Sequence, residues 1–221
     1  MYPDAPGDNT FRILGIDPGT STLGISIIDV DITDLSFKII YAVTLTGEPI
    51  DPQYKHLALT RFDRDARLLT LKRKIRDLLE TVKPHCVAAE SPFANMKTMS
   101  AFEPLVECQW IIREVVWSCS ESLIVHRITP PTAKASVDVD HRGSKKKDVQ
   151  DAVVKKLATF SDIDLTLLDE HCIDSIAVGY AVYVSQIQGK EIKTKGKTKK
   201  IRSKSDASKR VPRKKRRKRR K

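Results

Sequence analysis

The spacing of apolar residues along the chain changes several times, and each change marks an element. Residues 11–17, FRILGID, form an apolar run stopped by Pro18-Gly19, and residues 22–30 and 35–46 follow as β-branched segments separated by acidic turn residues. This order predicts three consecutive strands in an antiparallel meander. From His56 to Val82 the period lengthens: Leu57, Leu59, Phe62, Ala66, Leu69, Ile75, Leu78, Leu79 and Val82 recur at helical spacing among charges. One long amphipathic helix, closed before Pro84, is expected there. Residues 85–90, HCVAAE, read as a short buried strand ending in a carboxylate, residues 100–120 as a second helix, and residues 122–128, SLIVHRI, as a fifth strand. Pro130-Pro131 then open a short helix. DVDHRGSKKKD reads as an exposed loop ending where a helix starts near Asp148, and a last helix runs from Asp169 to Ile187.

The order β-β-β-α-β-α-β-α-α-α is that of an α/β layer fold with helices packed on a mixed sheet. Residues 1–10 are polar and are expected to be disordered, residues 11–188 to form one domain, and residues 189–221, without apolar periodicity, to be a disordered tail. Charge sharpens that division. Of the 40 Lys/Arg and 28 Asp/Glu, residues 189–221 hold 19 and two, a net of +17, which leaves 21 against 26, or −5, for residues 1–188. The folded part is mildly acidic and the tail strongly basic. Cys86, Cys108, Cys119 and Cys172 form no C-x-x-C pair and read as free thiols in a reducing, intracellular compartment. Neither a signal sequence nor a stretch approaching the roughly 18 apolar residues of a membrane span is apparent. A soluble, cytoplasmic protein without membrane contact is expected.

Four residues at element ends carry the candidate chemistry. Asp17 closes the first strand, Glu90 closes the fourth, and His171 and Asp174 lie one turn apart at the start of the last helix. If the middle strands form a meander, strands one and four become parallel neighbours, and sites in such sheets gather at the carboxyl ends of adjacent strands. The i, i+3 spacing puts His171 and Asp174 on one helical face, able to approach both strand ends. Clustered carboxylates repel one another unless hard divalent cations neutralise them, and oxygen-rich sites suit Mg2+ or Mn2+. Two such ions can activate a water and stabilise the departing oxygen of a phosphodiester, so hydrolysis of a nucleic-acid backbone is the natural chemistry.

The run ILGIDPGTSTLGISII resembles the opening strand and hairpin of RuvC-type Holliday junction resolvases, AAESPF their second motif, and HCIDSIAVGYA their closing helix. PPTAKASVDVDHRGSKKKDV resembles the family's basic segment, and the likeness extends over residues 11–187. It implies a ribonuclease H-like fold, a mixed five-stranded sheet with helices on both faces. It also implies a homodimeric endonuclease that nicks four-way or other branched DNA, leaving a 5′ phosphate and a 3′ hydroxyl. By that resemblance Asp17, Glu90 and Asp174 bind the metals, and His171 stands where members carry aspartate or histidine. Lys134 matches a lysine that contacts DNA or assists catalysis, and Lys146 or Lys147 matches a second. Phe93, three residues after Glu90, matches an aromatic that stacks at the opened junction. No small-molecule cofactor is implied.

Each assignment has a rival. A strand followed by D-x-G-T also opens actin-like ATPases, but that fold needs a duplicated second half, which 221 residues with a basic tail do not supply. Glu170, at i, i+4 from Asp174, competes with His171 as fourth ligand, or is simply an acid placed to complement a helix dipole. Lys145, Lys146 and Lys147 are either a solvated loop or the phosphate-facing side of the site. RKKRRKRRK, nine basic residues at the end of the chain, reads equally as a backbone-binding arm or a nuclear address. Two further functions remain: a nuclease of the same fold acting on RNA or hybrids, and an architectural nucleic-acid-binding protein that does not cut. Helices 56–82 and 100–120, with Trp110 and Trp117, are the expected dimer surfaces.

Overall fold

The structure is a computed structural model that describes residues 1–60, 63–92, 99–140 and 142–194. Its centre is a five-stranded sheet in the order β3-β2-β1-β4-β5, built from β1 (Thr10–Asp17), β2 (Thr22–Asp31), β3 (Phe37–Thr46), β4 (Cys86–Glu90) and β5 (Ile124–Ile128). The first three strands are the antiparallel meander, while β4 runs parallel to β1 and β5 parallel to β4. Helices α2 (Asp63–Val82) and α3 (Met99–Cys119) cover one face, and α4 (Pro130–Ser136), α5 (Lys146–Leu157) and α6 (Glu170–Val182) cover the other.

Strand alternation decides which way each side chain faces. Leu14 and Ile16 of β1 and Val87 and Ala89 of β4 belong to the core under α2 and α3. Ile13 of β1 and Cys86 and Ala88 of β4 belong to the core under α4 to α6. Period two therefore sends Asp17 and Glu90 to the α6 face. Ile13 to Ile16 pair in register with Cys86 to Ala89, so the two acids are the next positions of one parallel ladder.

Three expectations need correction. The segment from His56 to Val82 is not one helix: a short α1 (Lys55–Leu59) ends at Thr60, whose hydroxyl donates to the Leu57 carbonyl at 2.8 Å, and α2 starts at Asp63. Leu59, counted in the apolar stripe, is 86% exposed, so the first turn does not share the face that α2 buries. The last helix also keeps its regular period only to Val182, then widens into a π-type turn over Tyr183–Ile187. Finally, the N-terminal residues contact the fold instead of lying free. Tyr2 packs edge-on against Tyr41 with ring centroids 6.1 Å apart, and the Arg12 guanidinium donates to the Asp4 carbonyl. α5 starts two residues before Asp148, whose carboxylate accepts the Lys145 amide at 2.7 Å as a first-turn cap.

Candidate active site

The approach of α6 to the sheet is set by glycine. Gly24 is the β2 partner of Asp17, and a Cβ built on it would come within 1.9 Å of the His171 carbonyl oxygen. A Cβ on Gly15 would meet the Ser175 carbonyl at 2.4 Å. Backbone thus rests on backbone, and the first turn of α6 is brought onto the ends of β1 and β2. Asp169 caps that turn by accepting the Cys172 amide at 2.9 Å, and Thr44 of β3 donates to the other oxygen of Asp169 at 2.5 Å. Gly24→Ala is expected to destabilise the fold by about 1–3 kcal/mol and to lower any activity of the site about tenfold or more through displaced α6 residues. Denaturant unfolding read beside turnover checks it, and unchanged turnover would separate the α6 position from the chemistry.

Asp17 and His171 meet directly, with Oδ2 and Nδ1 3.0 Å apart. Glu90, Lys134, Lys146 and Asp174 line one pocket, and an adjoining one is lined by Asp17, Glu90 and Ser91. The carboxylates are held in a poorly hydrated place. Burial pushes the Glu90 carboxyl up to about 8, reinforced by Asp17 and Asp174 and opposed by Lys134. Burial pushes Asp174 up to about 6, reinforced by Asp17 and opposed by Lys134 and Lys146. Asp17 is raised by burial as well, while the contact with His171 pulls it back. A converging set of mostly buried carboxylates with one imidazole, only partly offset by Lys134 and Lys146, is the donor chemistry of a hard divalent cation. Among the described residues, no three His, Cys, Asp or Glu side chains are already drawn together closely enough to hold one ion.

The rivals separate by geometry. Glu170 is 45% exposed and its Oε1 lies 2.5 Å from the Lys146 ammonium, so it partners a lysine at the rim while His171 partners Asp17. Of the two candidate lysines, Lys146 lines the pocket with Glu90 and Asp174, whereas Lys147 lies in a neighbouring depression; Lys145 is exposed at the helix start. Lys134 is half-buried, with its ammonium 3.2 Å from the Ser144 hydroxyl. Phe93, His141 and the tail beyond residue 194 lie outside the described residues. Sequence reasoning missed Thr22, whose hydroxyl is 3.2 Å from His171 Nε2, and Gln109, a buried α3 residue whose amide donates to the Glu90 carbonyl. Burial singles out the second, and burial is not visible in the sequence. Nothing in the sequence marked the first.

The sheet order and the two helical layers form a ribonuclease H-like fold similar to that of RuvC. The likeness to known proteins extends to the sequence. The chain is similar to the crossover junction endodeoxyribonuclease RuvC of Caldanaerobacter subterraneus, 27% identical over 152 residues that span 69% of this chain and 81% of that one. It is also similar to RuvC of Xanthomonas campestris, 37% identical over 93 residues, 42% of this chain and 46% of the relative. RuvC of Thermus thermophilus, solved in complex with Holliday junction substrate, superposes with a TM-score of 0.60 at 16% identity, over 81% of this chain and 97% of that one. No family model matches the chain.

Proposed function

We propose that the protein is a divalent-metal-dependent endonuclease that cuts four-way DNA junctions or related branched DNA. The carrying observation is the convergence of Asp17, Glu90 and Asp174 on the α6 side of the sheet, in a chain whose relatives are crossover junction endonucleases. Asp17, Glu90 and Asp174, with His171, are the residues to hold Mg2+ or Mn2+, two ions per site. Such ions, when bound, lower the pKa of water and offset charge on the phosphate. The chain's own groups do the rest. Asp174 and Glu90 face the pocket from helix and strand, and Lys134 and Lys146 bring positive charge to its rim, where a phosphate enters an otherwise acidic site. Phe93 is assigned to the branch point. A non-cutting architectural role is disfavoured, because a binder of phosphates gains nothing from buried carboxylates.

Junction cutting calls for two sites on symmetric strands, and the outer side of α3 is suited to a second copy. Val106, Trp110 and Trp117 are exposed there, with the Arg113 guanidinium 5.6 Å and 4.6 Å from the two indole rings. The described cysteines are free thiols, as a reducing cell interior would keep them, and no described helix is long and apolar enough to cross a membrane. Labelled four-way junction, duplex, flap and RNA-DNA hybrid, each with magnesium, manganese or chelator, test the function. Junction-selective cutting that needs the cation is expected; equal cutting of hybrid points to the RNA-directed alternative.

Removing one buried charge should stabilise the metal-free protein. In chelator at about pH 9, above the value of about 8 to which burial pushes the Glu90 carboxyl, Glu90→Gln is expected to melt about 2–4 °C above wild type, because the desolvated charge and its repulsion with Asp17 and Asp174 are gone. Added Mn2+ should raise the wild-type melting temperature more than the variant's. A variant that melts lower in chelator would mean that Glu90 is paired, not crowded.

Truncation after Gln188 removes a segment of net charge +17. Weaker binding to every DNA form and a flatter salt dependence are expected, with branch selectivity retained. Unchanged binding of duplex and junction across a salt series would leave the tail as an address or protein-binding arm.

A further inference from the structure

His171 has both ring nitrogens engaged. Nδ1 faces Asp17 Oδ2 at 3.0 Å and Nε2 faces Thr22 Oγ1 at 3.2 Å. An ionised carboxylate only accepts, so with a neutral ring the proton sits on Nδ1, and Nε2 accepts from the Thr22 hydroxyl. A ring that ligates an ion beside Asp17 must instead offer the Nδ1 lone pair, which moves its proton to Nε2. The partner of Nε2 then has to accept. A hydroxyl can do both, since it carries one donor and two lone pairs. A backbone amide, a carbonyl or a carboxylate serves only one of the two states, and an apolar side chain serves neither.

The backbone supports the same reading independently of the hydrogen bonds. Thr22 begins β2 and shares a strand face with Gly24, whose α-carbon lies so close under the His171 carbonyl that a Cβ there would come within 1.9 Å. One strand therefore seats both the main chain and the ring of His171. Thr22 is paired across the ladder with Thr46, which keeps its hydroxyl on an ordered edge of the site rather than on a loop.

We propose that Thr22 is a positioning residue of the cation site, holding the His171 ring in register with Asp17 in both the proton-bearing and the ion-ligating tautomer. This rests on the reading of Asp17 and His171 as metal ligands. Partners of ligating histidines fix tautomer and orientation, and their loss commonly costs about 10- to 100-fold in metal affinity. The probe is Mn2+ titrated calorimetrically into the purified full chain, with circular dichroism to equalise folded content. Thr22→Val is expected to bind Mn2+ about tenfold or more weakly, Thr22→Ser to bind like wild type, and Thr22→Val in a His171→Asp background to lose nothing further. Equal Mn2+ affinity in wild type and Thr22→Val would overturn the role of Thr22 alone. A loss as large in the His171→Asp background would reduce it to strand packing and overturn it too. Wild type that binds no more Mn2+ than Asp17→Asn would overturn the metal site itself and this proposal with it. Should Thr22→Val not fold, nitrogen-15 shifts of the metal-free wild-type ring, at a pH where it is neutral, decide the matter. A proton on Nδ1 with a hydrogen-bonded Nε2 supports the proposal, and a proton on Nε2 or a mixture refutes it.

Discussion

Asp17→Asn, Glu90→Gln and Asp174→Asn are each expected to slow junction cutting by about 10²-fold or more while leaving junction binding near wild type. Each amide keeps the size of the acid and removes its negative charge, so the fold has little reason to change. What is lost is a hard anionic oxygen. Asp17 and Glu90 continue one parallel ladder and Asp174 faces them from α6, so each amide breaks the same set. Binding rests on other groups, among them Lys134 and Lys146, and removing an acid from their neighbourhood should if anything help a phosphate to approach. Single-turnover cutting measured beside gel-shift affinity checks the split. A variant that cuts at the normal rate removes that residue from the site, and one that loses binding in proportion to cutting assigns it to the DNA interface instead.

Arg12→Met should cost about 3 kcal/mol of stability and lower the melting temperature by about 10 °C. Arg12 is the charged side chain buried most deeply among the described residues. Its side chain is 5% exposed and makes a bidentate pair with Asp29, both contacts at 2.7 Å, while another nitrogen donates to the Val82 carbonyl at 3.1 Å. It therefore fastens the last residue of α2 to the sheet between β1 and β2. Methionine fills similar space but leaves the Asp29 carboxylate without its partner and the helix end without its donor. The lower end of the range for breaking a buried pair applies, since Asp29 keeps 21% of its side chain in water. Thermal unfolding of Arg12→Met beside the double variant Arg12→Met/Asp29→Leu is the measurement. The double variant should recover part of the loss, because no unpaired charge remains; a double variant as unstable as the single would put the loss on α2 docking alone.

Much of this protein is legible in its sequence, for reasons that are local. Period-two runs bounded by Pro18-Gly19 and acidic turns specify the meander, and the run CVAA before Glu90 specifies a buried strand because small and β-branched residues without charge fit a sheet covered on both faces. The strand-end acids stood out because a carboxylate closing an apolar strand has to be explained by its surroundings. Placing β1 beside β4 followed from the meander occupying the other side of β1.

What the sequence by itself determined is the element order, the two apolar faces and the candidates Asp17, Glu90, His171 and Asp174, since periodicity and chain direction act over a few residues. The tertiary structure alone decided their partners. Glu170 and His171 are adjacent in a helix, and only the approach of α6 to Gly24 turns one towards Asp17 and leaves the other to Lys146. Lys146 and Lys147 are neighbouring residues of the same type, and only the start of α5 puts one against the pocket. Thr22 and His171 stand 149 positions apart, and Gln109 and Glu90 lie on different elements. Such contacts carry no local signal because a hydroxyl or amide looks the same in sequence whether water or a buried side chain takes its hydrogen bond, and only packing excludes the water.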